Sequence, residues 1–206
     1  MIRDPKDLKR YTASERANHW VVGISFILLA LSALAFFHPA FYPLTMLFGG
    51  GTWARILHPF IGVIIGVAFA IMFIRFYRLN FITPADREWI SRIGEMIDGN
   101  DHNMPEQGKY NAGQKMVFWG MGLCIFALVA SGLVMWRSVF SFPVDMVRLA
   151  AVVHASAAVA MILIAIVHVY AAIWTKGTIR AMWYGTVTRA WAKQHHRVWY
   201  RQVTGK

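Results

Sequence analysis

The sequence predicts an all-α integral membrane protein, a four-helix bundle with both ends of the chain on one side of the bilayer. Three observations predict it. Hydrophobic residues make up 57% of the 206 and charged residues only 15%, a balance foreign to a soluble chain of one-domain length. Four apolar runs reach the roughly 20 residues that a helix needs to cross a hydrocarbon core of about 30 Å. The cations also take sides: eighteen Lys and Arg flank alternate connections and ends, against three at the others.

The first span covers 19–37 and stops at His38-Pro39, since proline brings no amide donor to continue a helix. Its approach carries Arg3, Lys6, Lys9, Arg10 and Arg16, and the apolar run is long enough to stay in the membrane, unlike a cleaved leader. The second span covers 55–76. Its Gly62 and Gly66 are spaced to admit either a packed helix or a flat cofactor, and both readings stand. In the connection that follows, Thr83-Pro84 opens a short amphipathic helix with Asp86 and Glu88 in its first turn. Trp89, Ile90, Ile93, Met96 and Ile97 recur at helical spacing and Gly99 supplies the stop, which suits a helix lying in the membrane interface. The third and fourth spans cover 112–136 and 147–174. A basic tail, 176–206, carries Trp183, Tyr184, Trp191, Trp199 and Tyr200 among its cations and is expected against the inner surface or a partner subunit.

Orientation follows from where the cations sit. Five precede the first span, six lie from Arg75 to Lys115 and seven from Lys176 onward, while Arg55, Arg137 and Arg148 border the remaining connections. Both termini and the 75–115 connection are therefore expected in the cytoplasm. Nine Trp, seven Tyr and fourteen Phe supply aromatic belts for two membrane surfaces. The net charge of +11 accordingly reads as an anchor on anionic lipid, and no nucleic-acid partner is expected. Cys124, the single cysteine, has no partner for a disulfide or for a C-x-x-C-H covalent haem attachment.

Function is read from the histidines. His19, His58, His154 and His168 fall within the spans, where ionisable side chains are expensive and usually functional. His154 and His168 are fourteen residues apart, almost four full turns, so they leave one face of one helix about 21 Å apart along its axis. Matching depth pairs His58 with His154 near the outer surface and His19 with His168 near the inner surface. Two imidazoles from facing helices are the axial set of a haem b, so the pairs predict two bis-histidine haems stacked across the bilayer. Arg16 and Arg55, each three residues before a proposed ligand, are candidates for the haem propionates and equally for interface anchors. His38, His102 and His195-His196 are read as surface residues. A histidine proton relay in a small channel and a haem-free anchor for a peripheral enzyme are the readings from other classes.

The chain resembles the gamma (cytochrome b) subunit of membrane-bound respiratory formate dehydrogenases over nearly its whole length. The matching stretches are R-A-N-H-W at 16–20, R-I-L-H-P-F at 55–60, G-K-Y-N-A-G-Q-K at 108–115, V-H-A at 153–155, H-V-Y at 168–170 and W-A-K-Q-H-H-R-V-W-Y at 191–200. The sequence departs from the pattern in the first outer connection, Phe48–Thr52, which is glycine-rich. The resemblance implies the same two ligand pairs and a multi-pass protein of the bacterial inner membrane. It implies partners on the outer face: an alpha subunit with molybdenum or tungsten that oxidises formate, and an iron–sulfur beta subunit that relays electrons, in a complex open to higher oligomers. It further implies a quinone site, menaquinone or ubiquinone, near the inner haem at Asn111, Gly113, Gln114 and His168. Asn111 reads equally as a plain helix cap. The cytochrome b subunit of a nickel–iron hydrogenase or related reductase shares the four-helix plan and is the alternative among haem readings.

Overall fold

Helix α1 occupies Ala13–Phe37, α2 Gly51–Phe76, α5 Ala112–Met135 and α6 Val144–Trp174, with two short helices, α3 (Pro84–Ser91) and α4 (Ile93–Ile97), between α2 and α5. The computed structural model describes residues 6–98 and 104–205, with Met96 and Ile97 by their backbone alone. Gly99, the expected stop of the interfacial helix, and His102 lie outside the described residues. The four long helices have 25, 26, 24 and 31 residues and are apolar enough to cross a membrane.

Three of the four begin earlier than hydropathy indicates, because polar caps and turns, not apolar residues, start them. At α1, Thr12 and Glu15 form a reciprocal cap: the Thr12 N–H donates to Glu15 Oε2 (2.6 Å) and the Glu15 N–H to Thr12 Oγ1 (3.3 Å). At α2, Gly49 and Gly50 hold φ of 86° and 103°, which turns the chain into a helix starting at Gly51 instead of Arg55. Before that turn the connection between α1 and α2 coils into a 3-10 segment, Pro39–Phe48, whose first amide donates to His38 Nδ1. Helix α6 starts at Val144, directly after Pro143.

The described chain forms two compact units. The bundle unit is built on Ala17–Ile74 and Gly120–Ala165. All four long helices feed its core: Val22 from α1, Ile65, Ala68 and Phe69 from α2, Cys124 and Ile125 from α5, and Met161 from α6. Small residues set the spacing. A Cβ on Gly66 would lie 3.3 Å from Val129 Cγ2 and one on Gly120 3.2 Å from Ile164 Cδ1, so glycine lets these helices approach. Leu123, Phe126 and Leu163 stand on the outside of the bundle, as residues that meet lipid tails do.

The terminal unit takes the segment up to Arg16, Arg75–Trp119, and the chain from Ile166 onward. The tail is not a loose basic strand. It folds into α7 (Thr178–Tyr184), α8 (Arg189–His195) and α9 (Arg197–Thr204). Two short strands, β1 (Leu8–Lys9) and β2 (Thr186–Val187), pair antiparallel with Leu8 opposite Val187, a small exception to the all-α fold. Ala181, Val187, Trp191, Ala192 and Trp199 form the core, packed by Leu8, Tyr11 and Tyr200. The tail aromatics expected on lipid or a partner are thus divided: Trp191 and Trp199 are buried within the chain itself, while Trp183 is exposed.

The helix expected in the membrane interface is two helices. Ser91 Oγ donates to the Glu88 carbonyl (2.7 Å), and at Arg92 the backbone leaves helical geometry (φ −106°, ψ 14°). A serine bonding back to its own helix and a glycine two residues past the break, Gly94, weaken the turn there.

Candidate metal centre

Helix α2 carries His58 and α6 carries His154, and their rings face each other with centroids 6.2 Å apart and planes at 58°. Each ring is held from behind by a serine of another helix. Ser32 Oγ on α1 lies 2.7 Å from His58 Nδ1, and Ser131 Oγ on α5 lies 2.9 Å from His154 Nδ1. Ser32 donates its own hydroxyl proton to the Leu29 carbonyl (2.9 Å) and Ser131 donates to the Ala127 carbonyl (2.5 Å). Each Oγ is thereby left to accept Nδ1–H, which puts the lone pair of both rings on Nε2. Gly132 leaves room for the His154 ring, since a Cβ there would lie 3.4 Å from Cε1.

Two imidazoles bound through Nε2 to one iron, at roughly 2 Å each, have ring centroids about 6 Å apart, the separation found here. Among the described residues no group of three or more His, Cys, Asp or Glu gathers to hold a metal by itself. Two imidazoles suffice only where the remaining donors come from the group itself, as they do from the four pyrrole nitrogens of a haem. The residues present therefore fit haem b. Of the two glycines left open between packing and cofactor, Gly66 is a packing residue and Gly62, one turn from His58, faces open space.

His19 lies at the seventh position of α1, in the second turn and not the first, and meets Trp20 edge-on with centroids 5.8 Å apart. Beside it, Asn18 Nδ2 donates to the Ala68 carbonyl (2.8 Å) and ties α1 to α2. His168 lies on the exposed face of the last part of α6. His19 belongs to the bundle unit and His168 to the terminal unit. Arg16 donates through Nη1 to the Tyr11 carbonyl (3.4 Å), and the Arg55 guanidinium stands 5.7 Å from the Phe36 ring centroid.

Asn111 and Gln114 are the cap of α5. The Gln114 N–H donates to Asn111 Oδ1 (2.9 Å) and the Asn111 N–H to Gln114 Oε1 (3.1 Å), so the cap reading holds. Both amide oxygens are engaged, while among the described residues neither NH₂ group is seen to donate. Gly113 admits the Trp89 indole, for a Cβ there would lie 3.2 Å from Cη2. Next along α5, Lys115 Nζ donates to Asp86 Oδ2 (2.6 Å), and both side chains are buried. Burial alone would raise the Asp86 carboxyl, but hydrogen bonds from Lys115 and Thr83 outweigh it and hold the group below its usual range.

His196, read from the sequence as a surface residue, is buried at 1% exposure. Its Nδ1–H donates to the Gly108 carbonyl (2.7 Å) and its Nε2 accepts from Arg10 Nη2 (3.2 Å). Arg10 is itself buried, near the rings of Trp191 and Trp199 at 5.0 and 4.9 Å. Burial first, then the Arg10 charge, pushes the His196 pKa down to about 3. His38 is exposed, as expected. Sequence reasoning also missed Ser32 and Ser131. Their one signal is a polar residue inside an otherwise apolar run.

Comparison with known proteins agrees with this architecture. The profile of prokaryotic cytochrome b561 matches residues 10–185. The chain is 44% identical over 191 residues to the cytochrome b556 subunit of the nitrate-inducible formate dehydrogenase of Escherichia coli K12, covering 92% of this chain and 88% of that one. A second formate dehydrogenase cytochrome b556 subunit of that organism is 45% identical over 196 residues, covering 94% and 92%. The cytochrome b556 subunit of Haemophilus influenzae formate dehydrogenase is 37% identical over 195 residues, covering 94% and 82%. With four apolar helices, a matched pair of imidazoles and these relatives, the chain belongs to the prokaryotic cytochrome b561 family, among its formate dehydrogenase cytochrome b subunits.

Proposed function

We propose that the chain passes electrons through two bis-histidine haem b groups, from an iron–sulfur subunit on the outer face to a quinone reduced near the cytoplasmic side. The donor complex would include a molybdenum or tungsten subunit that oxidises formate. The reading is carried by the His58–His154 pair, whose spacing and Nδ1 partners suit axial ligation. Bound haem b supplies a reversible one-electron couple. His58 and His154 would hold the outer group. His19 and His168 would hold the inner one, a pairing supported by the fourteen-residue interval between His154 and His168 on one continuous helix. Arg55, which makes no ion pair among the described residues, would pair with a propionate of the outer haem, and Arg16, before His19, with one of the inner haem.

At the start of α5 the NH₂ groups of Asn111 and Gln114 are uncharged donors for a quinone carbonyl, with Gly113 between them and His168 completing the site. With both termini cytoplasmic, protons for the quinone come from the cytoplasm. Moving each electron inward against the membrane potential costs about 2.3 kcal/mol per 100 mV, so the arrangement stores energy as half of a redox loop.

The purified complex is expected to be red and to contain two haem b per chain. His154→Ala should remove one of them, and a variant that keeps both pigments spectrally intact would overturn the ligand assignment. Gln114→Ala should leave haem reduction by formate in place and slow quinol formation about tenfold, the cost of roughly one hydrogen bond. Undiminished quinol formation would remove Gln114 from the site.

A further inference from the structure

The two serines behind His58 and His154 sit on the helices that supply no ligand to that pair. Ser32 is on α1 and Ser131 on α5, both buried, and each repeats one arrangement: ring Nδ1 to hydroxyl oxygen, hydroxyl proton to a backbone carbonyl one turn back. Serine in an apolar helix commonly satisfies itself on its own carbonyls and asks for nothing further. Here both do so and also receive a ring proton. The duplication is specific, because the two chains of bonds converge on two rings that face each other.

We propose that Ser32 and Ser131 are positioning residues that set the tautomer, orientation and donor strength of both axial imidazoles, and so lower the reduction potential of the outer haem. The proposal rests on the di-haem reading above. An imidazole that donates Nδ1–H to an oxygen carries more electron density on Nε2 and is a stronger ligand to the oxidised metal. Stabilising the ferric form lowers the potential. A bond to a carbonyl makes each hydroxyl oxygen a better acceptor, since the two bonds polarise one another. The two sides are not equal. The Leu128 carbonyl, 3.3 Å from Ser131 Oγ, also interacts with the His154 ring, whereas among the described residues Ser32 is the one side-chain partner of His58 Nδ1.

The test uses the intact complex in detergent, with redox titration of the haem absorption bands and low-temperature EPR of the ferric haems. Ser32→Ala should raise the midpoint potential of one haem and alter its EPR signal while the other haem is unmoved. Ser131→Ala should move that same haem in the same direction by less, because Leu128 remains. Loss of that haem alone in Ser32→Ala, with Ser131→Ala shifted and loaded, would also support positioning. Potentials and EPR signals unchanged in both variants would overturn the proposal, as would the two variants acting on different haems. A parent complex without two b haems would instead overturn the di-haem reading itself. Haem content of the parent therefore separates the two failures.

Discussion

The His196 ring donates through Nδ1 to Gly108 and accepts through Nε2 from Arg10, and only the neutral ring does both. Its pKa is about 3 in the folded chain against an unfolded value near 6.5, so between those values the unfolded chain binds the extra proton. Stability from this contact is complete above about pH 6.5 and falls as the pH drops toward 3. Thermal unfolding in detergent should show that acid loss, and His196→Gln should reduce it. His196→Ala, which leaves Arg10 and the Gly108 carbonyl without their partner, should cost roughly 2–3 kcal/mol at neutral pH. Residues were unequally legible in the sequence. Imidazoles inside apolar runs announce themselves because burial there is costly, and His58 and His154 do meet. His196 gave no such signal, because its sequence neighbours Lys193, Gln194, His195 and Arg197 are polar and what buries it comes from residues 10, 108 and 191. Serine is too common in membrane helices for Ser32 or Ser131 to stand out.

Among the elements, the four long helices were legible because lipid demands an unbroken apolar run of a fixed minimum length. Their starts were less so, since Thr12, Gly50 and Pro143 set them by turn and cap chemistry outside the run. The short helices α7 to α9 escaped notice because their apolar contacts are few and lie far apart in the chain. Helix α3 is anchored to the start of α5 by the buried Asp86–Lys115 pair and by Trp89 over Gly113. Asp86→Asn leaves the Lys115 ammonium buried without its counter-charge and should destabilise the complex by about 3–5 kcal/mol. Asp86→Asn combined with Lys115→Met should recover most of that loss, read by thermal unfolding, because the uncompensated charge is then gone. Gly113→Ala should displace the Trp89 indole, with a change in tryptophan fluorescence as its measure.

For the whole molecule, the cation distribution makes a testable statement about sidedness. With Cys124 replaced, a cysteine placed at Gly50 should react with a membrane-impermeant maleimide in intact cells. One placed at Thr204 should react only after the cells are opened. The reverse pattern would invert the proposed direction of charge movement. The pairing of Leu8 with Val187 has a consequence of its own, in time instead of space. A ribosome adding about 5–20 residues per second leaves Leu8 without its strand partner for roughly 10–35 s after it is made. Over that interval the spans enter the bilayer in turn, while the opening segment stays unlatched. A nascent chain that stalls before Thr186 therefore lacks the strand that covers Leu8, while Tyr11 already has Phe76 and Lys109 to pack against.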